Sequence, residues 1–494
     1  MPRRAADSGS CGRRAWDPCV ILRTGPTMPS TRFNRVAHVR ALVSLAWPIM
    51  LAQGVLIAIA NVDLIMVGQA STAELAYLGV GRQVYWLAAV MGFACMAGIQ
   101  VFVARADGLG DRRAARAAWA QGQLYAAVLG LLLGALAAVA GPLALGAMGL
   151  EPALVREGSH YIWVTALGLP VVFLSTAAML TYEGISRPRP GMAIVVSTIP
   201  LNIALNWLLI EGRWGLPAMG ATGAGWATNL SYLVAAVAQI AVLVRAPGLR
   251  RYGFRLRALA RRRWRGVWRD GRPLRRFGLA PGLAAGVEMA SFALLSFYAA
   301  RLGERPVAAF QVLLGLHAIL FLVAMGLAGA VSVRVGNAVG RRDWAAIGPI
   351  TGLGAGLTVT VMGLLSLGLW LAPETLAGLF NDEPATRALA ADMVRALAPA
   401  IAFDGLQFVL VFALRAAGDQ KMAAVLQILS MWLGMAVGGA VATFALGWGA
   451  MGPVAGFAAG VVLAALLLGA RFAVMARRWA VRTDGDRAAT RALG

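Results

Sequence analysis

Twelve times along this chain, a run of 20 or more residues rich in Ala, Leu, Gly and Val passes with very few charged side chains. The runs cover 41–67, 82–106, 115–140, 158–184, 190–211, 220–245, 277–302, 308–334, 344–372, 388–415, 420–445 and 450–476. None alternates apolar and polar residues with period two, which argues against the strands of a membrane barrel. Each is long enough to cross a hydrocarbon core about 30 Å thick as an α-helix. The pattern predicts an all-α integral membrane fold with twelve transmembrane helices.

Composition agrees, with 59% hydrophobic and 14% charged residues, against about 25% charged in a soluble domain. The net charge of +23 would suit a nucleic-acid binder, but its distribution points elsewhere. With the N-terminus inside, 38 of the 45 Lys and Arg residues fall on the cytoplasmic side and 7 on the outer side. That bias predicts a multi-pass protein of a bacterial-type inner membrane with both termini cytoplasmic. The cluster "RRRWRGVWRDGRPLRR" at 261–276 then reads as a topology signal with attraction for anionic membrane lipids, not as a nucleic-acid site. Cys11, Cys19 and Cys95 imply no disulfide framework. Residues 1–36 are polar and Arg-rich, lack the apolar core of a signal peptide, and are expected to be disordered, with Met28 an alternative start. There is no phosphate-binding loop, metal-ligand cluster or nucleophile–base pair. The expectation is a non-enzyme without a cofactor, working as a monomer on small molecules.

The chain also repeats itself. "LAQGV" at 51–55 returns as "LAAGV" at 283–287, and "AMGATGAGWA" at 218–227 as "AMGPVAGFA" at 450–458. "GLGDRR" at 108–113 lines up with "NAVGRRD" at 337–343. All three offsets lie near 232, and an even number of helices per repeat leaves the two halves in the same orientation. The predicted organisation is a tail over 1–36, an N-terminal six-helix lobe over 37–245 and an Arg-rich cytoplasmic linker over 246–276. A C-terminal six-helix lobe over 277–477 and a cytoplasmic tail over 478–494 complete it. Such parallel repeats are related by an axis along the membrane normal, with a cavity between them.

Five stretches together resemble the multidrug and toxic compound extrusion (MATE) family, and within it the NorM-type branch. They are "WPIMLAQGVLIAIANVDLIMVG" in the first helix, "NIALNW" at 202–207, Glu288, "GAVSVRVGNAVGRRD" at 329–343, and "FDGLQFVLVFALRAAGDQK" at 403–421. The resemblance implies a secondary antiporter that exports amphipathic, often cationic, compounds in exchange for Na⁺ or H⁺. A major facilitator-type exporter and a lipid-precursor flippase of related fold remain alternatives.

Three carboxylates, Asp63, Glu288 and Asp404, sit away from the ends of runs built for hydrocarbon, where a charge costs from roughly 3 to more than 10 kcal/mol. Asp63 stands among Val62, Leu64, Ile65 and Met66. Asn202 and Asn206, four residues apart, share a helix face, and Thr228 adds a hydroxyl early in the next helix. One carboxylate with neutral oxygens suits a monovalent hard cation, which favours Na⁺ slightly, while a protonated Asp63 bonded to the same amides stays open. The resemblance likewise implicates Asp63, Asn202 and Asn206 in cation binding. Glu288 and Asp404 fall near mid-membrane, and no Lys or Arg lies within ten residues of Glu288. By resemblance, they are associated with the coupling ion and cationic drugs. His317 reads as a core or interfacial histidine, and Glu183 as the partner of Arg187 four residues on.

Overall fold

The computed structural model describes residues 34–254, 264–380 and 382–492, the last ten of these by backbone alone. Most of the tail over 1–36 and the middle of the linker lie outside the described residues. Twelve helices are long and apolar enough to span a membrane, and no strand occurs among the described residues. The first six are α1 (Arg35–Ala70), α2 (Thr72–Gly108), α3 (Arg112–Ala147), α4 (Pro152–Gly184), α5 (Pro188–Ile210) and α6 (Gly220–Arg245). The second six are α7 (Arg272–Arg301), α8 (Glu304–Gly340), α9 (Trp344–Leu371), α10 (Pro384–Ala417), α11 (Gln420–Ala445) and α12 (Gly449–Arg482).

Local chemistry sets the helix ends. The Asn34 side chain accepts from the Ala37 amide at 3.2 Å, so α1 starts inside the stretch expected to be a tail. Ser71 is the only residue between α1 and α2; its own amide donates to the Val67 carbonyl and its hydroxyl accepts from the Glu74 amide. Asp111 caps α3 by accepting from the Arg113 and Ala114 amides at 2.8 and 2.9 Å. Pro152, Pro188 and Pro384 open α4, α5 and α10, where a missing N–H costs nothing. Three helices are irregular along their length. α2 is interrupted at Met96 and α5 at Ser197. α11 widens into π-helix over Ser430–Val437, where the Ser291 hydroxyl reaches across from α7 to the Met431 carbonyl at 3.2 Å.

The two halves are built alike. α4 packs on α2, α3 and α6, and α10 packs correspondingly on α8, α9 and α12. These central helices are the most buried spans, at 61% and 72%. Across the middle, α1 packs on α8 and α7 on α2, the exchange expected of two parallel repeats. This interface uses residues small enough for backbones to meet. A Cβ on Gly278 would overlap the Cys95 carbonyl, one on Gly326 would strike Met50, and one on Gly340 the Arg105 carbonyl. Polar bonds close the Arg-rich end: Asn337 Nδ2 donates to the Ala104 carbonyl at 2.8 Å, and Arg105 Nη2 to the Ala416 carbonyl at 2.7 Å. From Gly340 to Gly326 these contacts follow α8 for roughly 21 Å at 1.5 Å per residue.

The linker begins by folding onto the first half. Tyr252 Oη donates to Asp107 Oδ1 at 2.5 Å, and Phe254 packs on Trp119 with ring centroids 5.3 Å apart. After the undescribed residues, a short helix, Trp264–Asp270, leads directly into α7 and lies against α3.

Close packing between the halves predicts a contrast between two glycines. Gly340→Ala forces backbone apart at the interface, whereas Gly352→Ala points a methyl into open space. Gly340→Ala is expected to cost about 1–3 kcal/mol, the usual range for overpacking. Thermal melting of the detergent-solubilised protein should show a lowered midpoint for Gly340→Ala and none for Gly352→Ala.

Candidate functional site

The first group of polar residues closes into a ring. Asp63, 6% exposed on α1, accepts from Asn206 Nδ2 at Oδ1 and from the Thr228 hydroxyl at Oδ2, both at 2.6 Å. Asn206 Nδ2 also donates to Asn202 Oδ1 at 3.2 Å, and Asn202 Nδ2 to Thr228 Oγ1 at 3.3 Å. Asn202 and Asn206 are fully buried. Three helices thus supply one carboxylate, two amides and a hydroxyl, the same four residues that the sequence pattern proposed. Asn206 Oδ1 is buried with no hydrogen-bond partner, so one amide oxygen of the ring has an unused lone pair. Around it, Arg82 of α2 reaches the Ala60 carbonyl one turn before Asp63.

In the second half the two carboxylates are held separately. Asp404, 2% exposed on α10, lies 2.9 Å from His317 Nε2 of α8 and accepts from Gln407 Nε2, one turn along its own helix, at 3.2 Å. The imidazole is enclosed by aromatic rings, with Phe457 centred 4.8 Å and Phe292 6.0 Å away. Glu288 is half-buried on α7 and accepts from Gln427 Nε2 of α11 at 3.1 Å. Gln427 Oε1 in turn accepts from Arg415 Nη2 at 2.8 Å. Asp404, Arg415 and His317 each lie within electrostatic range of Glu288, so this half holds two carboxylates, a guanidinium and an imidazole.

His317 is buried, as expected of a core histidine, and its ring is bonded to Asp404. One expectation needs correction. Glu183 does not pair with Arg187. It is 2% exposed and accepts from Gln100 Nε2 of α2 at 2.6 Å, while Arg187 donates to the Gly248 carbonyl. The four-residue spacing is right for a pair, but Arg187 lies beyond the end of α4, where the chain turns, and no longer follows its face. Gln407, Arg415 and Gln427 had no assigned role from sequence. A faint signal was available, because each is a long polar side chain inside an otherwise apolar run, which hydrocarbon tolerates only with a partner.

Residues 48–208 and 283–439 each match the model of the MatE family. The chain belongs to this family. The two matches fall one in each half, as the internal duplication requires. A probable multidrug resistance protein NorM from Aromatoleum aromaticum is 31% identical over 468 residues, 93% of this chain and 98% of its own. The multidrug resistance protein PmpM of Pseudomonas aeruginosa is 30% identical over 471 residues, 92% and 95% of the respective chains. The crystal structure of the eukaryotic MATE transporter AtDTX14 superposes with a TM-score of 0.81 at 17% identity, covering 91% of this chain and 99% of that one. MatE is a transporter family, and the fold described above is that of its solved members.

In this MatE chain Gln427 links an acid to a base, which makes its removal informative. Gln427→Leu leaves both Glu288 and Arg415 without their bridging partner, and each buried unsatisfied group costs about 1–3 kcal/mol. Combined with Glu288→Gln, the loss should be less than additive by more than about 0.5 kcal/mol. Thermal melts of the two single variants and the double variant measure this coupling.

Proposed function

We propose that this protein is a secondary antiporter of the cytoplasmic membrane that exports amphipathic, often cationic, small molecules in exchange for inward Na⁺ or H⁺. The observation that carries the reading is the division of buried charge. Each half of a duplicated transporter fold holds carboxylates in the membrane, and each carboxylate is hydrogen-bonded to a neighbouring helix. Polar groups in hydrocarbon are costly and mark ion or proton pathways. The family match and the multidrug resistance names of the relatives support the substrate class.

In this mechanism the Asp63 ring is the cation site of the N-terminal lobe. Asp63 supplies the negative charge, and Asn202, Asn206 and Thr228 supply neutral oxygens. The unused Asn206 Oδ1 favours Na⁺, because a proton needs only the carboxylate. Glu288 and Asp404 form the site where coupling ion and cationic substrate compete in the C-terminal lobe, with His317 and Gln427 holding them in place. A ligand shifts a two-state equilibrium only through its different affinity for the two states, and carboxylates shared by substrate and ion provide that difference. The lobes over 37–245 and 277–477 rock against each other. Their joined surface at the Arg-rich end corresponds to closure on the cytoplasmic side, both termini being cytoplasmic.

One set of measurements tests the coupling. In inside-out vesicles, Glu288→Gln and Asp404→Asn should each abolish dye efflux at unchanged expression. Asp63→Asn should lose the response to imposed Na⁺ or H⁺ gradients, whichever ion drives the wild type. Wild-type rates in the first two variants, or a wild-type gradient response in the third, would sink the assignment. Orientation is tested in a cysteine-free background by Arg112→Cys. An impermeant maleimide should leave it unlabelled in intact cells and label it in inside-out vesicles.

A further inference from the structure

Away from both carboxylate centres, a cavity of about 200 Å³ lies between α3, α4 and the short helix Trp264–Asp270. Leu124, Ala127, Leu174, Trp264 and Val267 make its walls apolar. The exception is Gln123. Its side chain is 2% exposed, it lines this cavity, and neither its amide nitrogen nor its amide oxygen has a hydrogen-bond partner. A buried amide left unsatisfied costs about 1–3 kcal/mol, so something with a donor or acceptor belongs beside it.

The depth of the cavity identifies that something. α3 is polar up to this level, with Arg112, Arg113, Arg116, Gln121 and Gln123, and then carries no charged or amide side chain from Leu124 to its end. Gln123 therefore sits where headgroups give way to hydrocarbon. Below it, the face that carries Leu124 and Ala127 continues to Leu131, which is 62% exposed, because residues three and four apart share a helix face. An apolar stripe of α3 thus runs from the cavity wall to the exposed Leu131. The short helix above it is two-faced. Trp264, Val267, Trp268 and Gly271 follow one stripe toward α3, while Arg265, Arg269 and Arg272 follow another and are exposed. Tryptophan at this depth is the usual interfacial anchor. Arg275 lies over the Trp268 ring at 3.8 Å and donates to the Trp268 carbonyl, which keeps a further cation beside the cleft. At about 200 Å³ the cavity is smaller than the roughly 300–1,000 Å³ that enclose a drug-sized ligand, but it admits one segment of a longer molecule.

We propose that this cleft is a binding site for one anionic phospholipid of the leaflet on the Arg-rich side. Its acyl chain runs along Leu124, Ala127 and Leu131, its ester carbonyl accepts from the Gln123 amide, and its phosphate faces Arg265, Arg269 and Arg272. Bound there, the lipid fastens the connection between the two halves to α3.

Native mass spectrometry of the purified full-length protein, titrated with phosphatidylglycerol or phosphatidylcholine, tests this. One phosphatidylglycerol should bind in preference to phosphatidylcholine. Arg269→Gln with Arg272→Gln should lower its retention by roughly tenfold or more, since each Lys or Arg at a membrane surface contributes about 1 kcal/mol. Gln123→Leu removes the amide at nearly unchanged volume and should also lower retention without lowering the melting temperature. Arg477→Gln with Arg478→Gln, exposed on α12, should change nothing. Equal retention of the two lipids, an equal loss in the α12 variant, or displacement of the lipid by tetraphenylphosphonium would each overturn the proposal, the last by making the cleft a drug site.

Discussion

Two helix bundles in a bilayer gain little from burying apolar surface against each other, because lipid is as apolar as leucine. Everything else in this structure depends on how the halves nevertheless stay joined. The answer is proximity of backbone. Gly278, Gly326 and Gly340 let carbonyls and methylenes of the opposite half come where a Cβ would stand, and dispersion between so many close atoms adds up. Asn337 and Arg105 then satisfy carbonyls across the seam, which hydrocarbon would otherwise leave unpaired. Such an interface is selective in register but shallow in energy. It suits two bodies that must hold one arrangement and still be able to leave it.

The same constraint explains why so much was legible from sequence. In hydrocarbon every polar side chain is an exception, so Asp63, Asn202, Asn206 and Thr228 stood out singly, and helical spacing was enough to put the two asparagines on one face. The twelve spans were equally plain, since nothing but a helix satisfies its own backbone in lipid. What sequence left obscure was pairing between distant helices. His317 and Asp404 are 87 positions apart, and Glu288 reaches Arg415 only through Gln427. No periodicity encodes such contacts. Glu183 shows the converse failure: a local spacing suggested a local pair, and tertiary packing turned the two side chains in different directions.

The two centres also differ in kind. The ring around Asp63 has one charge and otherwise neutral dipoles. The second half mixes carboxylates with a guanidinium and an imidazole, so removing one member leaves another charge exposed to low dielectric. Neighbours in such a network do not contribute independently. An acid there is held as much by its bases as by its position.

The single residue between α1 and α2 has a mechanical consequence. Ser71 bonds backward to Val67 and forward to Glu74, so the connection has no slack to absorb movement. Glu74 in turn holds the Ala221 amide at the start of α6 at 2.7 Å. Asp63 lies two turns from this junction, on a helix whose C-terminal end is therefore clamped to two others. A displacement of α1 at Asp63 cannot be dissipated as a loose loop would dissipate it. It becomes a load on the C-terminal end of α1 and the N-terminal ends of α2 and α6 together, and α2 leads from there to the seam with α7, where it is interrupted at Met96.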